Sequence, residues 1–333
     1  MNANFSQHDK NETFGAAEER FIRSFDRKIL SFVRVNGIFI TAFVIECILF
    51  SLFLPFFLKS AFLAIIIAVF FLTIFSYFIL KQYLESQKLS YFEALLENFL
   101  SLNQDQFAKS SSKEIEIAKI CTRIAHRLYQ REYKYYAPPK FLGFLYPLTE
   151  RISAWMHWHD VHQMRELLLD RAVEEHIKLV RKEPTNPDVH AHLANAYVML
   201  SGLYVKPGSL ENMENERWVP EQKYGENMHL LFQEAAKNAV EEFKILKEYA
   251  PNDPWIYMQL AYSYRDLKMP EDEKEAYESI LSLRPQDHET RFNLGMLYFR
   301  RGDNARGLKE FEELKKAHYS KADELLCIYG QRN

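Results

Sequence analysis

RFNLGMLYFRRGDNARGLKEFEEL, residues 291–314, reads as two short amphipathic helices either side of a glycine turn. Leu294, Gly295 and Tyr298 mark the first helix and Gly302 the turn. Gly307, Phe311 and Leu314 mark the second. Apolar residues recur at helical spacing in both halves, and a small residue lets two helices approach where large ones interlock. One period upstream, Pro254, Tyr257, Leu260, Ala261 and Tyr264 repeat the first half, and Tyr277, Ile280 and Pro285 the second. Leu260 and Leu294, Ala261 and Gly295, and Tyr264 and Tyr298 are each 34 residues apart. A register shared at three positions marks an internal repeat built from stacked helix pairs.

The pattern closely resembles the tetratricopeptide repeat, whose 34-residue unit places small and large apolar residues at fixed points on two antiparallel helices. Glu273 departs from it, standing where that family has a small residue. Further upstream, Leu193, Ala194 and Tyr197 follow Pro187 as another first helix. Its second helix comes late, at Ala239, Phe243, Leu246 and Pro251. Between them lies the polar stretch KPGSLENMENERWVPEQKYGEN, read as a functional or mobile insertion at about 201–231. Ala172, His176, Leu179 and Pro184 resemble the second helix of a degenerate repeat. Ala322, Leu325, Leu326 and Tyr329 suit a capping helix. The repeat domain is expected over 137–333, opening after the break Ala137-Pro138-Pro139.

The resemblance implies an α-solenoid whose concave face is lined by the first helix of each pair. Carried over by position, that face holds Trp255, Met258, Tyr262, Arg265, Phe292, Met296, Phe299 and Arg300. This lining suits an amphipathic helix or an extended peptide with large side chains. One branch of the family grips acidic chaperone C-termini through lysine, asparagine and arginine. The matching positions here are Ala191, Asn195, Gln259, Glu289 and Asn293, of which only Asn195 fits, so that ligand is disfavoured.

Nearer the N-terminus, residues 37–77 are almost continuously apolar, interrupted only by Glu46, Pro55 and Lys59. Two spans are expected, Gly37–Leu58 and Ala61–Leu80, within a transmembrane hairpin at 37–80. At about 1.5 Å per residue they reach ~33 and ~30 Å, enough to cross a hydrocarbon core. Arg20, Arg23, Arg27, Lys28 and Arg34 precede the hairpin and Lys81 and Lys88 follow it, while Lys59 stands alone in the turn. Both chain ends are therefore placed on the cytoplasmic side. Glu46 is a costly ionisable group at membrane depth. Counted from the turn it lies as far back as Thr73 lies forward, so the two are expected to meet, with Ser76 and Tyr77 nearby.

Residues 1–17 read as a disordered tail. Residues 18–36 read as an amphipathic juxtamembrane helix, with Phe21, Ile22, Phe25, Ile29, Phe32 and Val33 on its apolar side. An N-terminal extension of the first span fits the same pattern. A helical connector is expected over 81–136. The apolar run Phe141, Leu142, Phe144, Leu145 and Tyr146 beyond it suits either a membrane surface or a cap on the repeats.

The net charge of −3 gives no basic excess for nucleic acid. The three cysteines, Cys47, Cys121 and Cys327, show neither zinc nor disulfide spacing. His159 and His162 would share a helix face, with His157 close by, yet no complete ligand set accompanies them; structural roles are expected and no metal or cofactor is assigned. Phosphate loops, nucleophile elbows and HExxH are lacking, so no catalytic residue is assigned and no enzyme is expected. The reading is an all-α chain: a two-helix transmembrane hairpin followed by a solenoid similar to the tetratricopeptide family. It acts as a bacterial scaffold or adaptor that holds a protein partner at the cytoplasmic face. The bilobed hairpin also resembles proteins that intracellular bacteria insert into host-derived inclusion membranes. A small oligomeric pore around Glu46 is the third reading.

Overall fold

The structure, a computed structural model, describes residues 2–57, 62–108, 112–138, 140–206 and 218–330. It divides into two compact units, residues 1–172 with 216–220, and residues 173–215 with 221–333. Every regular element described is helical.

In the first unit, α1 runs Asn2–Phe57 and α2 runs Phe62–Ser86. The expected turn at Leu58-Lys59-Ser60 lies outside the described residues. Ring pairs Phe39–Tyr77 at 5.4 Å, Phe43–Phe70 at 5.7 Å and Phe50–Phe70 at 5.9 Å advance along one helix as they retreat along the other. The two helices are thus antiparallel. No described residue covers their outer faces: Ile38, Leu52, Phe71 and Leu72 are all more than 60% exposed. Both helices are long and apolar enough to cross a membrane.

α1 is one unbroken helix, so residues 18–36 continue the first span toward its N-terminal side. Their apolar stripe meets protein. α3 (Lys88–Leu102), α4 (Gln104–Ala108) and α5 (Lys113–Arg127) follow. Phe21 packs on Phe99 at 5.2 Å and Phe25 on Phe92 at 5.3 Å. Ile117, Ile120, Cys121 and Ile124 of α5 are buried in the same unit. Each such Phe or Ile contributes at most about 1.5–3 kcal/mol. The edge of this core is charged. Glu18 pairs with Arg123 at 2.7 Å, and Asp26 pairs with Arg131 while accepting from Tyr135 at 2.9 Å. Short 3-10 turns at Arg131–Lys134 and Lys140–Leu145 lead into α6, Tyr146–Lys182. Trp218–Pro220 also belongs to this unit, with the Trp218 carbonyl accepting from the Tyr133 hydroxyl at 2.9 Å.

The second unit begins in the C-terminal part of α6. α7 (Pro187–Tyr204) packs on α8 (Glu226–Tyr249), α9 (Pro254–Asp266) on α10 (Pro270–Leu283), and α11 (His288–Arg301) on α12 (Asn304–Lys316). Successive pairs stack through α8 with α9 and α10 with α11, and α13 (Glu324–Gly330) closes the row. Helix starts follow one recipe. Asn186, Asp253 and Asp287 each accept a backbone N–H from the first turn, satisfying a donor that the helix cannot. Pro187 and Pro254 sit at the first position, where a missing N–H costs nothing. The stretch expected as an insertion at 201–231 is partly helix, since α7 reaches Tyr204 and α8 starts at Glu226.

A second recurrent feature ties the three pairs together. Six residues after Pro184, Pro251 and Pro285 stand His190, Tyr257 and Arg291, and each donates to that proline's carbonyl, at 2.9, 2.9 and 3.1 Å. The facing position on the second helix of each pair is Glu242, Ala276 or Glu310. Glu242 accepts from His190 at 2.6 Å and Glu310 from Arg291 at 2.9 Å. A cation thus meets glutamate in the first and last pairs, and Ala276 stands at the equivalent position of the middle one, 34 residues from each glutamate. The interrupted pair α7–α8 therefore holds the same register as the other two.

Both nitrogens of His190 face acceptors, which favours the imidazolium. Burial alone would lower its pKa, but the hydrogen bonds to Glu242 and the Pro184 carbonyl outweigh it and raise the value. A raised folded-state pKa gives stabilisation that is complete below the unfolded value of about 6.5. It is lost as pH rises through the folded value. Glu242→Gln is expected to lower the thermal stability of the second unit more at pH ~6 than at pH ~9. An equal loss at both would rule out a charged latch.

Candidate functional site

The residues placed on the concave face by position do not share one environment. On α9, Trp255 is half-exposed, and its inner edge meets Phe243 at 5.9 Å. Met258 and Tyr262 are partly buried, and the Arg265 guanidinium lies 5.1 Å from the centre of the Tyr262 ring. Burial, with Glu289 nearby, raises the Tyr262 phenol, so it stays neutral and can donate to a ligand. Together the four place two aromatic rings, a thioether and one cation along one side of α9.

On α11 the expected lining is largely in use. Phe299 is only 2% exposed, forms a small core with Leu314, Ala322 and Leu325, and lies 5.5 Å from the Tyr329 ring. Phe292 and Met296 pack against the same core, with Tyr319 6.2 Å from Phe292. The chain's own C-terminal cap occupies this part of the face. Arg300 reaches Glu273 at 3.3 Å, and Arg301 pairs with Glu271. Glu273, which replaces the family's small residue, is thus buried with a cation from the next pair.

The packing residues are where the repeat spacing puts them. Leu193, Ala194, Ala239, Phe243, Leu260, Ala261, Tyr264, Tyr277, Leu294 and Tyr298 form one core, with Tyr197 against it. Gly295 and Gly307 are buried and Phe311 half-buried. At Gly307 a Cβ would lie 2.6 Å from the Phe299 ring, so glycine is what lets α12 approach α11.

In the first unit, polar groups collect in two places. Between the apolar helices, Thr73 donates to Glu46 at 2.6 Å. At the foot of the same helices, Asn36 accepts from Tyr77 at 3.2 Å and donates to Tyr136 at 3.1 Å. Tyr136 stacks on His157 at 5.6 Å. Asp160 accepts from Lys88 at 2.8 Å and pairs with His157 at 2.9 Å. Lys88 also reaches Glu85 at 2.8 Å. Burial would raise the Asp160 carboxyl, but the His157 bond and the Lys88 charge hold it below the usual range. The histidines noted in the sequence diverge. His157 turns to Asp160, His162 stacks on Trp158 at 4.3 Å, and His159 points outward. Burial, with Arg165 and His159 nearby, pushes His162 down to about 3. Among the described residues no metal-holding group of three or more His, Cys, Asp or Glu is assembled.

This foot network was missed by sequence reasoning, because its bonded partners lie up to 100 residues apart. One signal was available: Lys88 is a charge on the helix face that carries Leu84, Phe92 and Leu95.

Helix pairs in 34-residue register define the class, a helical-repeat solenoid. Residues 256–287 match the family model described as tetratricopeptide repeat. Among solved structures it is similar to TTC0263, a thermophilic TPR protein in Thermus thermophilus. Identity is 16%, coverage is 64% of this chain and 97% of that one, and the TM-score is 0.31. It is also similar to a structure titled MamA MSR-1 C2, at 16% identity, 64% and 92% coverage and a TM-score of 0.33. A third similar structure is titled MamA RS-1 ArsTM double mutant, at 15% identity, 61% and 97% coverage and a TM-score of 0.32. Comparison with curated proteins gives no match. Proteins with tetratricopeptide repeats in general bind other proteins and act as scaffolds.

Proposed function

We propose that this chain is a membrane-anchored adaptor, fixed by the α1–α2 hairpin and holding a protein partner on the strip formed by Trp255, Met258, Tyr262 and Arg265. The observation that carries the anchor is the lack of burial on the most apolar stretches of both helices. A soluble core helix of that composition would be covered by its own protein. Basic flanks put both ends of the hairpin, and hence the repeats, on the cytoplasmic side. For the strip, the argument is chemical. Exposed Trp255 and partly buried Tyr262, with Arg265 against the Tyr262 ring, are of the residue types that dominate binding energy at interfaces. A partner presenting a large apolar side chain next to a carboxylate fits them.

Co-purification from mild detergent tests this. Trp255→Ala with Tyr262→Glu is expected to weaken capture of the partner about 100-fold or more, as loss of two anchors should. Far-ultraviolet circular dichroism must show the variant still helical. If wild type and variant retain the same partners, the strip is not the binding site.

A further inference from the structure

The 3-10 turn Lys140–Leu145 and the first turns of α6 carry an apolar surface that no described residue covers. Phe141 is 81% exposed and Phe144 76%. Leu148, Ile152 and Trp155 follow at spacings of four and three residues, on one side of α6, and are exposed too. This is not a frayed segment. The opposite side of the same turns is locked into the first unit, with Ser153, Ala154, His157 and Trp158 all buried.

What places this surface is the foot network. Asn36 and Tyr77 sit at the ends of the two apolar runs and both bond within reach of Tyr136. Ser153 receives the Tyr135 N–H at 3.0 Å, and His157 stacks on Tyr136. The α6 turns bearing Ile152 and Trp155 therefore rest directly on residues bonded to the hairpin's ends. Phe141 lies five residues beyond Tyr136, a chain reach of at most ~18 Å. Arg34 and Arg151, both exposed, add positive charge at this level.

We propose that this surface lies in the lipid–water interface of the same membrane, with Phe141, Phe144, Leu148, Ile152 and Trp155 among headgroups and upper acyl chains. This rests on the hairpin spanning the bilayer, since the hairpin's ends set the height. Aromatic rings on an anchored amphipathic face, beside arginines, are the residue types this interface takes up. The first unit would then be held at three points rather than two, which fixes its tilt.

The test uses full-length protein in vesicles of phosphatidylcholine and phosphatidylglycerol. Exposed Cys47 and Cys327 are replaced by alanine, and buried Cys121 is left. A nitrobenzoxadiazole dye is attached at Phe144→Cys, at Ile45→Cys within the first span, or at Met269→Cys in the second unit. Lipids spin-labelled near the headgroup or near the bilayer centre then quench it. Dye at 144 is expected to be quenched about two-fold more by the shallow label than by the deep one, as suits a face some 5–10 Å below the surface. Dye at 45 should show the reverse, and dye at 269 little quenching by either. Quenching at 45 without quenching at 144 overturns the interfacial docking and leaves the hairpin standing. No quenching at 45 overturns the spanning hairpin, and the docking with it.

Discussion

Asp160→Ala is expected to loosen the first unit by about 3 kcal/mol, because it leaves the buried Lys88 ammonium without its closest buried partner. Lys88 and Asp160 have side chains only 7% and 2% exposed, and water cannot replace the lost carboxylate. Glu85 remains at 2.8 Å and Lys88 keeps the face of Phe32 at 4.6 Å, so the loss should fall at the lower end for a broken buried pair. The readout is local, since one unfolding midpoint does not describe a two-unit chain. Hydrogen exchange in α3 and the first half of α6 should speed up on the order of 100-fold, with α9–α12 unchanged. The double replacement Lys88→Met, Asp160→Leu removes both charges and should recover most of the protection. If Asp160→Ala exchanges like wild type, the ion pair contributes nothing and the foot network is not held as described.

Gly307→Ala is expected to cost about 2 kcal/mol in the second unit, from a single added methyl. The Cβ would stand 2.6 to 2.8 Å from three carbons of the Phe299 ring. That ring has nowhere to go, being closed in by Leu314, Leu325 and Tyr329. Hydrogen exchange in α11 and α12 should speed up by about 30-fold, with α3 and α5 unchanged. Phe299→Leu in the same chain should return part of it by vacating the space. Unchanged exchange in Gly307→Ala would mean that α12 can back away freely, and the packing account would fall.

Much of the second unit could be read in advance because repeats print their geometry in the chain. Leu260 and Leu294, or Ala261 and Gly295, occupy equivalent buried positions, and 34-residue spacing has few other causes. Glu46 and Thr73 were placed together by counting outward from a tight turn, and in the structure they are bonded. Other features lay beyond such counting. An apolar stripe looks the same whether lipid or protein covers it, so Phe21 and Phe25 gave no sign that α3 would claim them. Phe292, Met296 and Phe299 hold groove positions in a generic repeat. In the last repeat of a row the cap covers them, and position within the motif does not carry that information. The latch of His190, Tyr257 and Arg291 was legible at constant distance from three prolines. Its three different side chains hid it from a search for like residues.

That latch has a bearing on how the chain tolerates change. Pro184 and Pro251 are 67 residues apart, against 34 for Pro251 and Pro285, yet α7 and α8 close on each other through the same proline carbonyl and facing glutamate. Closing a longer flexible connection costs little, about 0.6 kcal/mol for each doubling of its length. The joint between α7 and α8 is therefore a port. A segment of different length is expected to be accepted there while α7 and α8 keep their register, provided that Trp218–Pro220 keep their place in the first unit.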